Sequence, residues 1–223
     1  MGGYNLRESV NATYESLALA SRNHEHLWVD NSILSWRGES GHSFDRHSSI
    51  ADAFYTNGLR RLFSRDDSFV TTREMSDERR FAMTRMRGNG SVASLREEIY
   101  HLFELLEVRK RIIDAKEIPL YSDICEKIVQ TGLCDALGMS YPDITLFGAT
   151  IARISSGAPD ALLTDDTGII AGASSMQRQG VTIPVYSRIM PYGKTRLEAV
   201  RLSNDEMNYF LERQLKRDER MMC

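Results

Sequence analysis

The chain has 223 residues, 42% of them hydrophobic, with 28 Lys and Arg against 31 Asp and Glu, and a net charge of −3. That size allows a full core without covalent staples, and it favours one domain with an insertion over two. Cys125, Cys134 and Cys223 lie far apart with no C-x-x-C pair, which argues against a disulfide framework or a zinc ribbon. The N-terminal stretch 1–23 lacks a basic-then-apolar signal pattern, and no window approaches the roughly 18 apolar residues of a membrane span. A protein of the reducing cytoplasm, with no membrane partner, is the expectation.

In chain order, Leu27-Trp28-Val29 is the first core element expected, a short apolar run ending in Asp30 and reading as a buried strand. After a Gly/Ser/His-rich loop, Ile50, Ala53, Phe54, Leu59, Leu62 and Phe63 fall at helical spacing. Phe69-Val70-Thr71-Thr72 is a second strand by its aromatic and β-branched content, and the helix after it ends near Gly88-Asn89-Gly90. The stripe Leu95, Ile99, Leu102, Leu106 and Ile113 predicts one helix over 91–116, and another spans 120–137, ended by Gly138. Pro142 suits the first turn of a helix over 143–154. Then come a strand at 161–164, a helix at 167–179 closed by Gly180, and a strand at 182–186 whose Pro184 points to a sheet edge. A last helix opens at the capping box Ser203-x-x-Glu206.

Strands alternating with helices predict an α/β fold, a three-layer α/β/α sandwich around a central parallel sheet. The whole of 1–223 is expected to be a single domain, with a core at about 27–186, a helical insertion at about 88–137 and a C-terminal helical extension at about 203–223. Such sheets bind ligands beyond the carboxyl ends of their strands. Four acids fall at that edge. Asp30 ends the first strand, Glu78 follows the second by a helical turn or so, Asp143 opens a helix, and Asp165-Asp166 ends the strand at 161–164. Any one of them alone is weak evidence and reads more readily as a cap or turn residue accepting backbone hydrogen bonds. Together they repel one another and need a cation to offset that cost, and hard carboxylate oxygens suit Mg²⁺ or Mn²⁺. Glu74, one turn before Glu78, and Asp77 compete for the second position, and Asp165 is an alternative or additional ligand to Asp166. Ser32 and Thr164 carry hydroxyls suited to orienting the neighbouring carboxylates.

The net charge argues mildly against nucleic acid. Taking four metal-committed carboxylates out of −3 leaves +1, however, and the basic residues cluster. The groups are Arg60, Arg61 and Arg65; Arg79, Arg80, Arg85 and Arg87; and Arg213, Lys216, Arg217 and Arg220. His24-Glu25-His26 and His42/His47 match no common zinc spacing. No P-loop, G-x-S-x-G or G-x-G-x-x-G is present.

The strings around the acids resemble those of the PIN-domain ribonuclease family, part of the PIN-like nuclease superfamily. His26-Leu27-Trp28-Val29-Asp30-Asn31-Ser32 looks like the family's opening strand, and Phe69 to Glu78 like the second strand and the helix carrying its glutamate. Pro142-Asp143-Ile144-Thr145-Leu146-Phe147-Gly148-Ala149 is similar to the Asp-led, small-residue helix. Leu162-Leu163-Thr164-Asp165-Asp166 matches the strand ending in Thr-x-Asp, which selects Asp166, and Gly180 to Val185 resembles the final glycine and strand. The pieces keep the family's order over 27–186, and the helical stretch between Arg87 and Leu137 is longer than in the family's small toxin ribonucleases. The resemblance implies a metal-dependent endoribonuclease hydrolysing RNA, single-stranded or structured, through one or two Mg²⁺ or Mn²⁺ ions. It implies Asp30, Asp143 and Asp166 as primary ligands, with Glu78 binding a second ion or orienting the attacking water. Arginines bordering the site, Arg79, Arg80 and Arg85, would hold flanking phosphates. A catalytically inactive PIN scaffold binding RNA or a protein is the alternative, and a phosphatase or receiver-like module fits less well. A homo-oligomer, an antitoxin and a ribonucleoprotein all stay open as partners.

Overall fold

The computed structural model describes residues 6–36, 48–86, 90–193 and 195–221. His42, His47, Arg87, Gly88, Asn89 and Cys223, and the side chains of Ile50 and Arg220, lie outside this description. Among the described residues no helix is long and apolar enough to cross a membrane.

The centre is β1 (Leu27–Val29), buried on both faces, as a strand between two layers of helix must be. It pairs in parallel with β2 (Phe69–Thr72) on one side and β4 (Ala161–Leu163) on the other. Outside these lie β3 (Ile112–Ile113), parallel to β2, and β5 (Val185–Ile189), parallel to β4. β6 (Thr195–Arg201) runs antiparallel on β5, giving a six-stranded sheet in the order β3-β2-β1-β4-β5-β6.

The described residues form nine helices: α1 (Leu6–Ser21), α2 (Ser48–Phe63), α3 (Arg73–Arg85), α4 (Gly90–Val108), α5 (Tyr121–Gln130), α6 (Leu133–Leu137), α7 (Tyr141–Ser155), α8 (Thr167–Arg178) and α9 (Asn204–Met221). Strand side chains alternate between two cores. Trp28, Val70, Leu162 and Val185 pack with Phe147 of α7, Ile169 of α8 and Phe210 of α9. Leu27, Phe69 and Leu163 pack with Leu17 of α1, Leu59 of α2 and Phe103 of α4. The sheet is thus covered on both faces, an α/β arrangement compatible with a three-layer sandwich.

Several elements differ from expectation. β1 is preceded by α1, whose Val10 and Leu17 are fully buried. The helix predicted over 91–116 ends at Val108, where Lys110 takes a left-handed φ of 56°, and the chain turns into β3. The helix predicted over 120–137 is two, broken at Gly132 with φ 66°. Pro184 is not at a sheet edge. It lies one residue before β5, which runs between β4 and β6, and its carbonyl accepts from Leu162 N at 2.9 Å.

Candidate active site

Asp30 stands one residue beyond β1, and its N–H extends the ladder to Leu163 O at 3.0 Å. Its carboxylate is buried, yet it forms no side-chain cap to the 3₁₀ turn that follows, Asn31–Leu34. Two hydroxyls hold it instead. Thr164 Oγ1 donates to Asp30 Oδ2 at 2.6 Å, and Ser32 Oγ donates to the same oxygen. Each hydroxyl is itself fixed by a backbone N–H, from Asp166 to Thr164 Oγ1 at 2.9 Å and from Asp165 to Ser32 Oγ at 2.8 Å. The two hydroxyls thus lock one carboxylate oxygen and couple the ends of β1 and β4.

Asp166 caps α8, its Oδ1 accepting from Gly168 N at 2.7 Å and Ile169 N at 2.9 Å. Asp143 sits in the first turn of α7 in a capping box, its Oδ2 accepting from Ser140 N at 2.8 Å and Ser140 Oγ at 2.7 Å. Glu78, in α3, accepts on Oε2 from Asn31 Nδ2 at 2.7 Å, and Asn31 also donates to Met75 O at 2.9 Å. One pattern runs through all four acids. A single oxygen is engaged by the protein, and among the described residues none donates to Asp30 Oδ1, Asp143 Oδ1, Asp166 Oδ2 or Glu78 Oε1.

The acids feel one another. Burial first, then the charges of Asp166 and Asp143, push the Asp30 carboxyl up to about 7 against the lowering pull of its two hydroxyl donors. Asp143 is raised by burial, with Asp166 and Glu78 adding to the shift and its bonds to Ser140 opposing it. Glu78, rather than Glu74 or Asp77, is therefore the acid of α3 that enters this group. Capping alone accounts for Asp143 and Asp166, but it leaves Asp30 unexplained.

Other predicted residues fall elsewhere. Asp165 does not face the group. Its Oδ2 receives Arg188 Nε at 2.8 Å, while Oδ1 receives Arg188 N at 2.8 Å and Ser187 Oγ at 3.0 Å. A carboxylate saturated this way by a buried guanidinium is a poor candidate for a cation ligand. Of the three arginines, only Arg79 borders the acids. Burial draws its guanidinium down while the charges of Asp52, Glu78 and Asp30 pull it back up. One terminal nitrogen reaches Ser35 Oγ at 3.3 Å, and Nε is sealed without a partner among the described residues. Arg80 instead turns to α4, donating to Glu107 Oε2 at 3.3 Å and lying over the Phe103 ring, and Arg85 lies over Phe81 in its own helix. The His24 ring bonds to Pro159 O and Tyr186 Oη, and His26 lies beside buried Asp160, both at the amino ends of the strands, away from the acids.

Three contributors to the site were not anticipated. Arg188 is fully buried and, besides Asp165, donates to Ser32 O at 3.1 Å and Ser35 O at 3.0 Å, clamping the turn after Asp30. Asp52 accepts from Trp36 N at 2.5 Å, and Asn31 aims Glu78. An arginine inside a run such as Val185-Tyr186-Ser187-Arg188-Ile189, facing the core by strand alternation, was the available signal.

The donor set suits a hard divalent ion, being all carboxylate, each member with one undirected oxygen. Among the described residues no three His, Cys, Asp or Glu side chains come close enough to share one ion. Mg²⁺ typically takes only one or two carboxylates and completes its shell with water and substrate phosphate, so the acids fit such an ion without a closed cage. No family model, curated protein or solved structure matches the chain.

Proposed function

We propose that the chain is a PIN-like, metal-dependent endoribonuclease that hydrolyses RNA phosphodiester bonds with Mg²⁺ or Mn²⁺. The observation that carries this reading is Asp30: a buried carboxyl, held by two hydroxyls, capping nothing, and pushed up to about 7 beside two other acids. Such an arrangement costs stability, and a bound cation would offset that cost. The choice of RNA is supported by the order of the motifs from Leu27 to Val185 and their resemblance to the PIN family.

Asp30, Asp143 and Asp166 would share the ion, one or two of them as direct ligands and the rest through its water shell, with Glu78 on its flank. When bound, it supplies Lewis-acid polarisation of the phosphate and charge neutralisation at the leaving oxygen. The protein's own part is orientation. Ser32 and Thr164 fix Asp30, the two capping motifs fix Asp143 and Asp166, and Asn31 holds Glu78 with Oε1 left to accept a proton from the attacking water. Arg79 would bind a non-bridging phosphate oxygen.

Incubating purified protein with mixed RNAs, with Mn²⁺ or with chelator, tests the reading. Cleavage is expected only with metal, and Asp30→Asn or Asp166→Asn should lower it by more than the about 10–100-fold typical of changes outside the ligand shell. Cleavage that survives complete chelation contradicts the metal role. Intact RNA under every metal condition favours the non-catalytic scaffold.

A further inference from the structure

We infer that the groove between α9 and the first turn of α8 is the path by which single-stranded RNA reaches the acids, with Arg213, Lys216 and Arg217 holding its phosphates and Tyr192 stacking on a base. The inference rests on the nuclease reading and adds a substrate track to it.

Helix α9 carries two stripes. Met207, Phe210 and Leu211 are buried against the core, and Gln214 continues that face by donating to Thr167 Oγ1 at 2.9 Å, next to Asp166. Tyr209, Arg213, Lys216 and Arg217 fall at spacings of four, seven and eight along the neighbouring stripe. All three cations are exposed, and none forms an ion pair with a described side chain.

Two adjoining cavities connect this stripe to Asp166, the member of the acid group nearest α9. One of about 340 Å³ is lined by Asp166, Gly168 and Asp135 on one side and by Gln214 and Arg217 on the other. The second, of about 750 Å³, shares Thr167, Gln214 and Arg217 with the first and continues past Arg213 and Lys216 to Tyr209. Among the described residues, Glu212 is the one acid lining the second cavity. The groove therefore changes sign along its length, cationic over α9 and acidic at Asp166. A polyanion whose scissile phosphate meets a cation at the acids needs its neighbouring phosphates held by positive charge.

The far end has an aromatic platform. Tyr192 lies against Tyr209 with ring centroids 4.7 Å apart and planes tilted by 50°, and it is 80% exposed. Its backbone holds a left-handed φ of 67°, a conformation uncommon for a bulky residue. Burial of the ring does not explain it, whereas presenting an aromatic face to an unpaired base does. In a duplex the bases are already stacked, so the platform selects single strands.

The test is binding of a short fluorescent single-stranded oligouridine in chelator, where no cleavage occurs, read by anisotropy across a salt series. The triple variant Arg213→Ala, Lys216→Ala, Arg217→Ala alters only exposed side chains. It should bind about tenfold or more weaker and flatten the log–log salt slope by up to about 2, at about 0.7 per phosphate of a single strand. Tyr192→Ala should weaken binding by about fivefold or more. The control pair Arg61→Ala on α2 and Arg65→Ala in the turn that follows it should bind as wild type. Wild-type affinity in the triple variant, equal loss in the control pair, or equally tight binding of a duplex would each overturn the inference. A protein that binds through α9 but cleaves nothing in Mn²⁺ keeps the track and loses the nuclease reading. Cleavage by a triple variant with undiminished binding does the reverse.

Discussion

Asp30 carries a pH dependence whose sign can be worked out. Its carboxyl is raised from the ordinary 3.8 to about 7, first by burial and then by Asp166 and Asp143. Between those values the folded chain keeps a proton that the unfolded chain releases, so the metal-free protein loses stability as pH rises from about 4 to about 7. One such group contributes a slope of at most about 1.4 kcal/mol per pH unit. Denaturant melts of wild type and Asp30→Asn, whose amide mimics the protonated carboxyl, should draw apart as pH rises through that range, with the steeper fall in wild type. Parallel curves would mean that Asp30 titrates normally. The pair Arg188 and Asp165 makes a second prediction at this scale. Removing one partner of a fully buried ion pair strands the other charge, so Arg188→Met should cost about 3–5 kcal/mol, and adding Asp165→Leu should recover most of it. A loss that the second substitution leaves unrelieved would show that Arg188 acts mainly through Ser32 O and Ser35 O. The choice between Glu78 and Glu74 could not be read from spacing, because both lie on one helix face. Asn31, 47 residues away in sequence, is what singles out Glu78.

At the scale of elements, the acids depend on how closely helices approach. A methyl group placed on Gly168 would lie 2.7 Å from Leu137 O and 3.0 Å from Asp166 Oδ1, so the first turn of α8 fits under the end of α6 only because residue 168 has no side chain. Gly168→Ala should cost about 1–3 kcal/mol in thermal or denaturant melts and should disturb Asp166 directly. An unchanged melt would mean that α6 moves freely. Elements with a strong period were legible: β1, β2, β4, α7 and α9, the last two marked by Pro142 and by the Ser203 and Glu206 capping box. Those that were missed have weaker signals. β3 is two residues long and sits inside a pattern that reads as helix, because the left-handed turn is made at Lys110 rather than at a glycine. β6 is a largely polar edge strand, paired on one side only. α1 has helical spacing at Val10, Thr13 and Leu17, but its buried face is satisfied by β6, with Thr13 Oγ1 donating to Leu197 O at 2.8 Å across 184 residues.

Across the whole molecule, alternation of strands and helices carried the architecture, since a parallel sheet needs crossover helices and buries both faces. The same rule directed attention to the carboxyl edge, where Asp30, Glu78, Asp143 and Asp166 arrive from four separate elements. Asp165 and Arg80 could not be sorted in advance. Adjacent residues on a strand end or a helix point to different neighbours, and those neighbours, Arg188 and Glu107, come from elsewhere in the chain. Net charge says little about any one surface for a related reason: −3 averages an acidic edge with the basic stripe of α9.

Thermal melts in Mn²⁺ test whether these carboxylates hold a divalent cation, as proposed, without any knowledge of the substrate. Asp143 is raised by burial, with Asp166 and Glu78 adding to the shift, so Asp143→Asn relieves repulsion while its amide oxygen can still accept from Ser140. The metal-free variant should melt at or above the wild-type temperature. At a hundredfold excess over its dissociation constant, Mn²⁺ should stabilise wild type by about 2.7 kcal/mol and the variant by much less. An equal Mn²⁺-induced shift in both proteins, or none in wild type, would rule out a cation held by Asp143 and its neighbours.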